Sequence, residues 1–295
     1  MTWLWSTISE TTAVIAQAKL GLVAAAFAVD TLALFVMAFR WRLLLHSLRS
    51  RASYWETLLA YSAGVCVCNI TPARALGGDA CRAALIPRPG GSPSMKAIGA
   101  SVVYDRVSDV AGFLMLGALA LPTLRPQSPR WVLLAVLALA AALAARPLYR
   151  RISSRIGQWH HPVVGNDMRA SLAAAAGCSL VIWLLDITRI ILVAAAFGVR
   201  FVPSQAASVS LLRLGSGVVP VPAGIGVVDG ALVAGFVWLG LPAATAAAMA
   251  IVERAIVYLW STVLGATALL LLGGWRALRQ ARTATAAASS SEIAS

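Results

Sequence analysis

The sequence predicts an all-α fold: a polytopic membrane helical bundle with an inverted repeat and two broken, re-entrant helical hairpins. Hydrophobic residues make up 60% of the 295 residues and charged residues only 12%. The mean hydropathy of +0.81 means that the apolar surface exceeds what one soluble core can bury. Several apolar runs are long enough to cross a bilayer, and a short polar pattern occurs twice, about 150 residues apart.

The repeated pattern joins a proline, glycines, an acid and an acid-arginine dyad. Its members are Pro72, Gly77-Gly78-Asp79 and Asp105-Arg106 in the first copy and Pro222, Gly224, Gly226, Asp229 and Glu253-Arg254 in the second. In both copies the proline stands seven residues before the acid. We infer a first unit at about 20–121 and a second unit at about 170–272, with opposite orientations in the membrane because three crossings separate their starts.

The first unit is predicted as helix, hairpin, helix. A spanning helix over 20–39 ends at a basic group that begins with Arg40, which predicts a cytoplasmic end and an N-terminus outside. Residues 54–95 contain short apolar stretches broken by proline and glycine, which is typical of a re-entrant hairpin. A full helix over 96–121 closes the unit.

The second unit repeats this order. A connector helix over 131–148 leads into a basic loop, and a spanning helix covers 170–197. Residues 204–241 hold the second broken hairpin, because the proline- and glycine-rich segment in its middle does not continue a helix. The last helix, 243–272, precedes a tail at 276–295 that we expect to be disordered and cytoplasmic.

Twelve charged residues fall at predicted membrane depth. They are Arg74, Arg82, Arg106, Arg189, Arg213, Arg254, Asp79, Asp105, Asp109, Asp186, Asp229 and Glu253. A charged side chain at the bilayer centre costs about 2.5–3.5 kcal/mol, so these residues must line a polar interior or pair with one another. Asp186 and Arg189 stand three apart on one helix face, where a static ion pair is the simpler interpretation.

Arginine suits an acidic headgroup, because a guanidinium stays charged when buried and donates through a planar fork. The residues expected to bind a headgroup are Arg74, Arg82, Arg106, Arg213 and Arg254. The acids expected to orient these arginines or to couple an ion are Asp79, Asp105, Asp229 and Glu253. The residues expected at the hairpin turns are Pro72, Gly77, Gly78, Pro222, Gly224 and Gly226, where glycine permits close backbone approach.

Several function classes find no support in the sequence. It lacks a P-loop, an H-E-x-x-H motif and a G-x-S-x-G motif, and its four cysteines and three histidines form no pattern of metal ligands. We therefore expect no catalytic residue, no metal and no cofactor. The net charge of +13 comes from basic residues in short loops beside apolar runs, which indicates a membrane and not a nucleic acid as the partner.

The segment from Asn69 to Arg74, the glycine-acid pattern after it, Pro220–Asp229 and the two dyads resemble the membrane region of lysylphosphatidylglycerol synthases. The resemblance covers nearly the whole chain, in a free-standing form without the aminoacyl-transferase domain. It implies a flippase-like domain, and free-standing relatives are linked to polyprenyl-linked sugars and hopanoids. Asp229 stands where the family often has glutamate.

The leading hypothesis is a single membrane domain over 1–275 in the bacterial inner membrane, which moves an anionic or polyprenyl/hopanoid-type lipid between leaflets through an Arg/Asp-lined groove. Its partners would be the bilayer and the lipid substrate. Two alternatives remain open: an intramembrane lipid-modifying transferase with Asp79 or Asp229 as general base, and an accessory subunit of a biosynthetic enzyme. The sequence does not give the oligomeric state.

Overall fold

The computed structural model describes residues 2–71, 74–87, 93–123, 166–216, 221 and 224–273. The predicted connector helix at 131–148, the basic loop that follows it, the tail at 276–295 and both repeat prolines, Pro72 and Pro222, lie outside this part of the chain.

Helices follow one another along the described chain, with no strand among these residues. They are α1 (Thr2–Ala16), α2 (Leu20–Ser47), α3 (Tyr54–Ile70), α4 (Arg74–Leu85), α5 (Met95–Ala120), α6 (Asn166–Ala196), α7 (Pro203–Ser216), α8 (Val227–Trp238) and α9 (Ala243–Arg254). A short 3-10 turn (Leu121–Thr123) follows α5. The all-α prediction is confirmed. The helix α1 was not predicted, because its 15 residues are too few to span a bilayer.

The last helix changes its winding in the middle. After α9 the chain forms a π-helical stretch (Ala255–Trp260) and then returns to α-helix as far as Gly273, so that Ala243–Gly273 is one apolar rod of 31 residues. Leu20–Ser47 and Met168–Ala196 are likewise long and apolar enough to cross a membrane. Large apolar side chains along these rods are exposed, including Leu32, Leu184 and Leu270, as expected where lipid is the solvent.

The first helices of the two units, α2 and α6, pack along each other. The paired helices α3 and α4 contact one another beside α2, and α7 and α8 do so beside α9. Two apolar cores form. One gathers around Trp41 and Ile98 of the first unit. The other gathers around Phe236 and Met249 of the second unit but also contains Leu116 of α5.

Local signals explain where several helices begin. Ser53 and Glu56 form a capping box at the start of α3, in which the Ser53 hydroxyl accepts from the Glu56 N–H at 3.2 Å and the Glu56 carboxylate accepts from the Ser53 N–H at 2.9 Å. Such a cap satisfies two N–H groups that helical geometry leaves without partners. Ser94 caps α5 through the Ala97 N–H, and Pro203 opens α7, at a position that needs no N–H donor.

Two predictions about the first unit are wrong. The first spanning helix does not end before Arg40 but continues to Ser47, and Arg40 is 1% exposed because carboxylates of α5 neutralise it inside the bundle. Gly77 and Gly78 do not form a turn but lie inside α4. A β-carbon added to Gly78 would lie 2.5 Å from the Gly64 carbonyl oxygen, so glycine here allows α3 and α4 to touch.

The turn glycines of the second unit behave as predicted. Gly224 and Gly226 both have positive φ, at 67° and 81°, in the turn before α8. Only glycine adopts such angles without a steric cost.

Candidate functional site

The first cluster of buried charges surrounds Asp105 on α5. Its two carboxylate oxygens accept from Arg40 Nε on α2 and from Arg82 Nη1 on α4, at 2.8 and 2.9 Å. Asp105 is fully buried. Arg40 also donates to Asp109, one helical turn further along α5, and to the Ser179 hydroxyl of α6. One carboxylate thus holds α2, α4 and α5 together.

Asp79 extends this cluster along the wall of a cavity that is described below. It accepts from Arg106 Nη2 at 2.8 Å and from Arg82 Nε at 3.0 Å. The Arg82 guanidinium also lies over the rings of Trp41 and Tyr61, 4.7 and 4.8 Å from their centroids, where the ring faces attract a cation. Arg106 differs from its neighbours because half of its side chain is exposed.

The second cluster surrounds Arg189 on α6. Arg189 donates to Glu253 on α9, with Nη2 and Oε1 2.6 Å apart, and to Asp186 on its own helix at 2.7 Å. It also donates from Nη1 to Asp30 on α2 at 3.1 Å. The predicted Asp186–Arg189 pair is therefore confirmed, but as part of a larger network of three carboxylates around one guanidinium.

Asp186 links this second cluster to α7. It accepts from Arg213 Nη2 and from the Ser210 hydroxyl, both at 2.6 Å. Arg213 is less enclosed than Arg189, with 17% of its side chain exposed.

A further ion pair joins α8 to α9. Arg254 Nε lies 2.7 Å from Asp229 Oδ1, and its guanidinium lies over the Tyr258 ring. Asp229 also accepts from the Gly226 N–H at 2.8 Å, which caps the start of α8. Asp229 therefore fixes the glycine turn while it binds the dyad arginine.

The two units make the same pattern of ion pairs. In each, an arginine of the first helix binds the acid of the dyad: Arg40 with Asp105 and Arg189 with Glu253. The dyad arginine then binds the aspartate of the hairpin's second helix: Arg106 with Asp79 and Arg254 with Asp229. The structure thus pairs the repeated residues as equivalents. The opposite orientation of the units in a membrane stays a prediction.

A cavity of ≈ 360 Å³ lies where the two clusters meet. The first unit contributes Arg82, Arg106 and Asp79 to its lining, and the second contributes Arg189, Arg213 and Asp186. Asp30 and Asp109 also face it. The cavity therefore lies between the repeats and carries charges of both signs.

Three N–H donors at the cavity are buried without an acceptor in hydrogen-bonding geometry among the described residues. They are Trp183 Nε1, Arg213 Nε and Arg82 Nη2, and all three side chains line the cavity. Arg82 Nη2 lies 2.9 Å from Asp79 Oδ1 but is not aligned for a hydrogen bond. The indole edge of Trp183 packs against Gly112 of α5. A buried donor without a partner costs about 1–3 kcal/mol, and these three N–H groups are enclosed by protein, so a ligand reaches them only if the side chains move.

The predicted headgroup residues divide among three places. Arg82, Arg106 and Arg213 line the cavity, whereas Arg254 lies with Asp229 and is not among the lining residues. The side chain of Arg74 lies outside the described part of the chain. The four acids expected to orient arginines, Asp79, Asp105, Asp229 and Glu253, each accept from an arginine.

Sequence reasoning missed three residues of the site. Arg40 was assigned to a helix end, and Asp30 and Trp183 were not singled out. Asp30 carries the clearest overlooked signal: it is a lone carboxylate inside a predicted span, ten residues before Arg40, and an ionisable residue in a span indicates function by default.

The fold and the buried ion pairs define a multi-pass helical membrane protein with a polar site between two related units. Residues 2–265 match the family described as "Lysylphosphatidylglycerol synthase TM region", and the chain belongs to this family. It is also similar to a "UPF0104 membrane protein" of Methanothermobacter thermautotrophicus (strain Delta H), with 26% identity over 248 residues, which cover 71% of this chain and 73% of that protein. No solved structure matches the chain.

Proposed function

We propose that this protein is a lipid translocase, which carries an acidic lipid headgroup between the leaflets of the bacterial inner membrane through the cavity between its two units. The observation that carries the proposal is the convergence of arginines from both units on the cavity wall: Arg82 and Arg106 from the first unit and Arg213 from the second. A phosphate or phosphodiester group offers several acceptor oxygens at once, and such a group binds guanidinium donors through charge-assisted hydrogen bonds.

The two more open arginines are the best anchors for this headgroup. Arg106 is half exposed and binds one carboxylate, that of Asp79. Arg213 donates to Asp186 through Nη2, while its Nε has no acceptor among the described residues. Arg40 and Arg189, by contrast, are almost fully enclosed by carboxylates, so their role is to hold the helices around the cavity.

The size of the cavity also supports a headgroup and not a whole lipid. A volume of ≈ 360 Å³ lies at the lower end of ligand pockets, which span about 300–1,000 Å³. The acyl chains would therefore stay in the bilayer beside the exposed apolar faces of the bundle while the headgroup crosses.

The repeated ion pairs supply a route between the leaflets. In this structure the Asp79–Arg106 pair lines the cavity, whereas the equivalent Asp229–Arg254 pair does not. A motion of one unit against the other would remove the Asp79–Arg106 pair from the cavity wall and bring the Asp229–Arg254 pair onto it. Such an exchange between equivalent halves is how repeat-built transporters alternate access.

The test is leaflet exchange of labelled phosphatidylglycerol in proteoliposomes. Arg106→Gln and Arg213→Gln each remove one guanidinium from the cavity wall. We expect both variants to slow the exchange at least fivefold. The matched control is Arg200→Gln, whose side chain is exposed, and it should match the wild type.

Two results would overturn the proposal. One is the absence of exchange by the wild type for phosphatidylglycerol and for polyprenyl phosphates. The other is exchange that Arg106→Gln and Arg213→Gln leave unchanged. A new lipid product formed from added donors would instead favour the transferase alternative.

A further inference from the structure

The two charge clusters at the cavity differ in their balance. Among the described residues, the first cluster pairs three carboxylates with three guanidiniums: Asp79, Asp105 and Asp109 with Arg40, Arg82 and Arg106. The second pairs three carboxylates with two: Asp30, Asp186 and Glu253 with Arg189 and Arg213. The second cluster therefore carries one negative charge that no arginine of the cluster neutralises.

The contacts identify Asp30 as the excess carboxylate. Glu253 accepts hydrogen bonds from both Nε and Nη2 of Arg189. Asp186 accepts hydrogen bonds from two arginines and from a hydroxyl. Asp30 receives a single bond, from Arg189 Nη1 at 3.1 Å. Asp30 also lines the cavity, and 14% of its side chain is exposed. Of the three carboxylates it is therefore the least neutralised by arginine.

The surroundings of Asp30 make its charge costly once an anion arrives. The charged groups that face it are Asp186 and Arg189 from α6, Arg213 from α7 and Glu253 from α9. The charged residues of α4 and α5 that line the cavity, Asp79, Arg82, Arg106 and Asp109, belong to the first cluster, which is already balanced. A phosphate bound at Arg213 would add a second uncompensated negative charge to this cluster, and like charges close together in a low-dielectric site favour protonation of one of them.

We propose that Asp30 is a proton-binding site, which takes up one proton when an acidic headgroup enters the cavity and releases it when the headgroup leaves. This inference rests on the proposed function, since the acidic headgroup is the partner of the proton. Protonation of Asp30 makes the side chains of the second cluster neutral in sum. A singly charged headgroup and a proton can therefore enter together without a change in the total charge of the site. Headgroup affinity then rises as the pH falls, because the bound state holds one more proton than the free state.

The first measurement is calorimetry of short-chain phosphatidylglycerol binding to the detergent-solubilised protein in buffers of different ionisation enthalpy. The dependence of the heat on the buffer counts the protons taken up. We expect uptake approaching one proton for the wild type. The dissociation constant should rise by up to about tenfold per pH unit in the range where the bound protein holds this proton and the free protein does not. Asp30→Asn should bind without proton uptake and with an affinity independent of pH.

A control variant locates the proton. Glu56→Gln removes a carboxylate in the capping box of α3, which is not among the residues that line the cavity, and it should keep the linked proton uptake. Uptake that survives in Asp30→Asn, or that disappears in Glu56→Gln, would overturn the assignment to Asp30.

Stability provides a second measurement that does not depend on ligand. Because Asp30→Asn removes an uncompensated charge and keeps the shape of the side chain, its melting temperature at pH 8 should equal or exceed that of the wild type. Glu253→Gln, at the fully compensated position, should melt lower. A large destabilisation by Asp30→Asn would overturn the view that its charge is in excess.

The outcomes separate this inference from the proposed function. Phosphatidylglycerol binding and exchange without proton uptake would leave the translocase standing and remove the proton site. No binding of phosphatidylglycerol or polyprenyl phosphate at any pH would remove both.

Discussion

Arg189 and Glu253 lie 64 residues apart in the chain and meet inside the bundle as an ion pair with at most 4% of either side chain exposed. Arg40 and Asp105 form the equivalent pair in the first unit, at a separation of 65 residues. Each pair joins the first helix of its unit to the last. A buried charge is tolerated only while its partner is present, so these pairs fix how the helices of each unit meet.

Loss of Arg189 should therefore be severe. Arg189→Ala leaves Glu253 and Asp30 without their arginine, and breaking a buried pair in this way costs about 3–5 kcal/mol. Arg106→Ala removes a half-exposed arginine and should cost less than about 1 kcal/mol. Unfolding in detergent, followed by circular dichroism, measures both. Equal losses from the two substitutions would contradict the division between enclosing and open arginines.

Lipid binding should depend on Arg213, which lines the cavity, and leaflet exchange should depend also on Arg254, which does not line it. Arg213→Gln should weaken phosphatidylglycerol binding about tenfold, since a hydrogen bond to a charged group is worth about 1.5–3 kcal/mol. Arg254→Gln lies away from the cavity and should leave that affinity within twofold while it slows leaflet exchange. Binding isotherms and exchange rates on the same preparations check this. If Arg254→Gln weakened binding as much as it slowed exchange, this would argue against the proposal that the Asp229–Arg254 pair replaces the Asp79–Arg106 pair at the cavity during transport.

Two glycines should not accept a larger side chain. A valine at Gly78 would push into the backbone of α3 at Gly64, and a valine at Gly265 would push into α3 at Ser62 and Cys66. Overpacking of this kind costs about 1–3 kcal/mol. Gly99→Ala is the control, because a β-carbon there meets nothing within 4 Å. Melting temperatures compare the three, and an unchanged value for Gly265→Val would show that the helices separate freely.

The carboxamide of Asn69 should hold the end of the π-helical stretch. Its two N–H groups donate to the hydroxyls of Ser261 and Thr262 at 3.1 and 2.9 Å. Asn69→Leu removes these bonds, so the backbone amides around 258–262 should exchange with solvent deuterium faster than in the wild type. Thr267→Val, whose exposed hydroxyl bonds only within its own helix, should leave these amides unchanged. Unaltered exchange in Asn69→Leu would mean that the winding of this helix does not depend on α3.

Long apolar runs made the main helices readable from the sequence. The helices predicted at 96–121, 170–197 and 243–272 correspond to Met95–Ala120, Asn166–Ala196 and Ala243–Gly273. The pairing of Asp186 with Arg189 followed from helical spacing alone. These features depend on residues close together in the chain, where local geometry decides.

Contacts between distant segments were not readable in the same way. An arginine at the end of a mostly apolar run is typical of a helix end, and nothing near Arg40 in the sequence shows that Asp105 lies beside it. The pair Gly77-Gly78 favours a turn by propensity, since glycine costs about 1 kcal/mol in a helix, but close packing against α3 outweighs that cost. The membership of Asp30 in the second cluster likewise depends on which face of α2 meets α6.

The π-helical stretch at Ala255–Trp260 has a consequence for how this helix tolerates changes in length. A π-helical turn accommodates one extra residue. If that residue were wound as regular α-helix instead, everything beyond it would rotate by about 100°, the angle per residue of an α-helix. Gly265 and Ser261 would then no longer face α3. Deletion of one residue within this stretch should therefore restore regular winding and keep both ends in register, whereas the same deletion in α6 would turn its far half away from its neighbours.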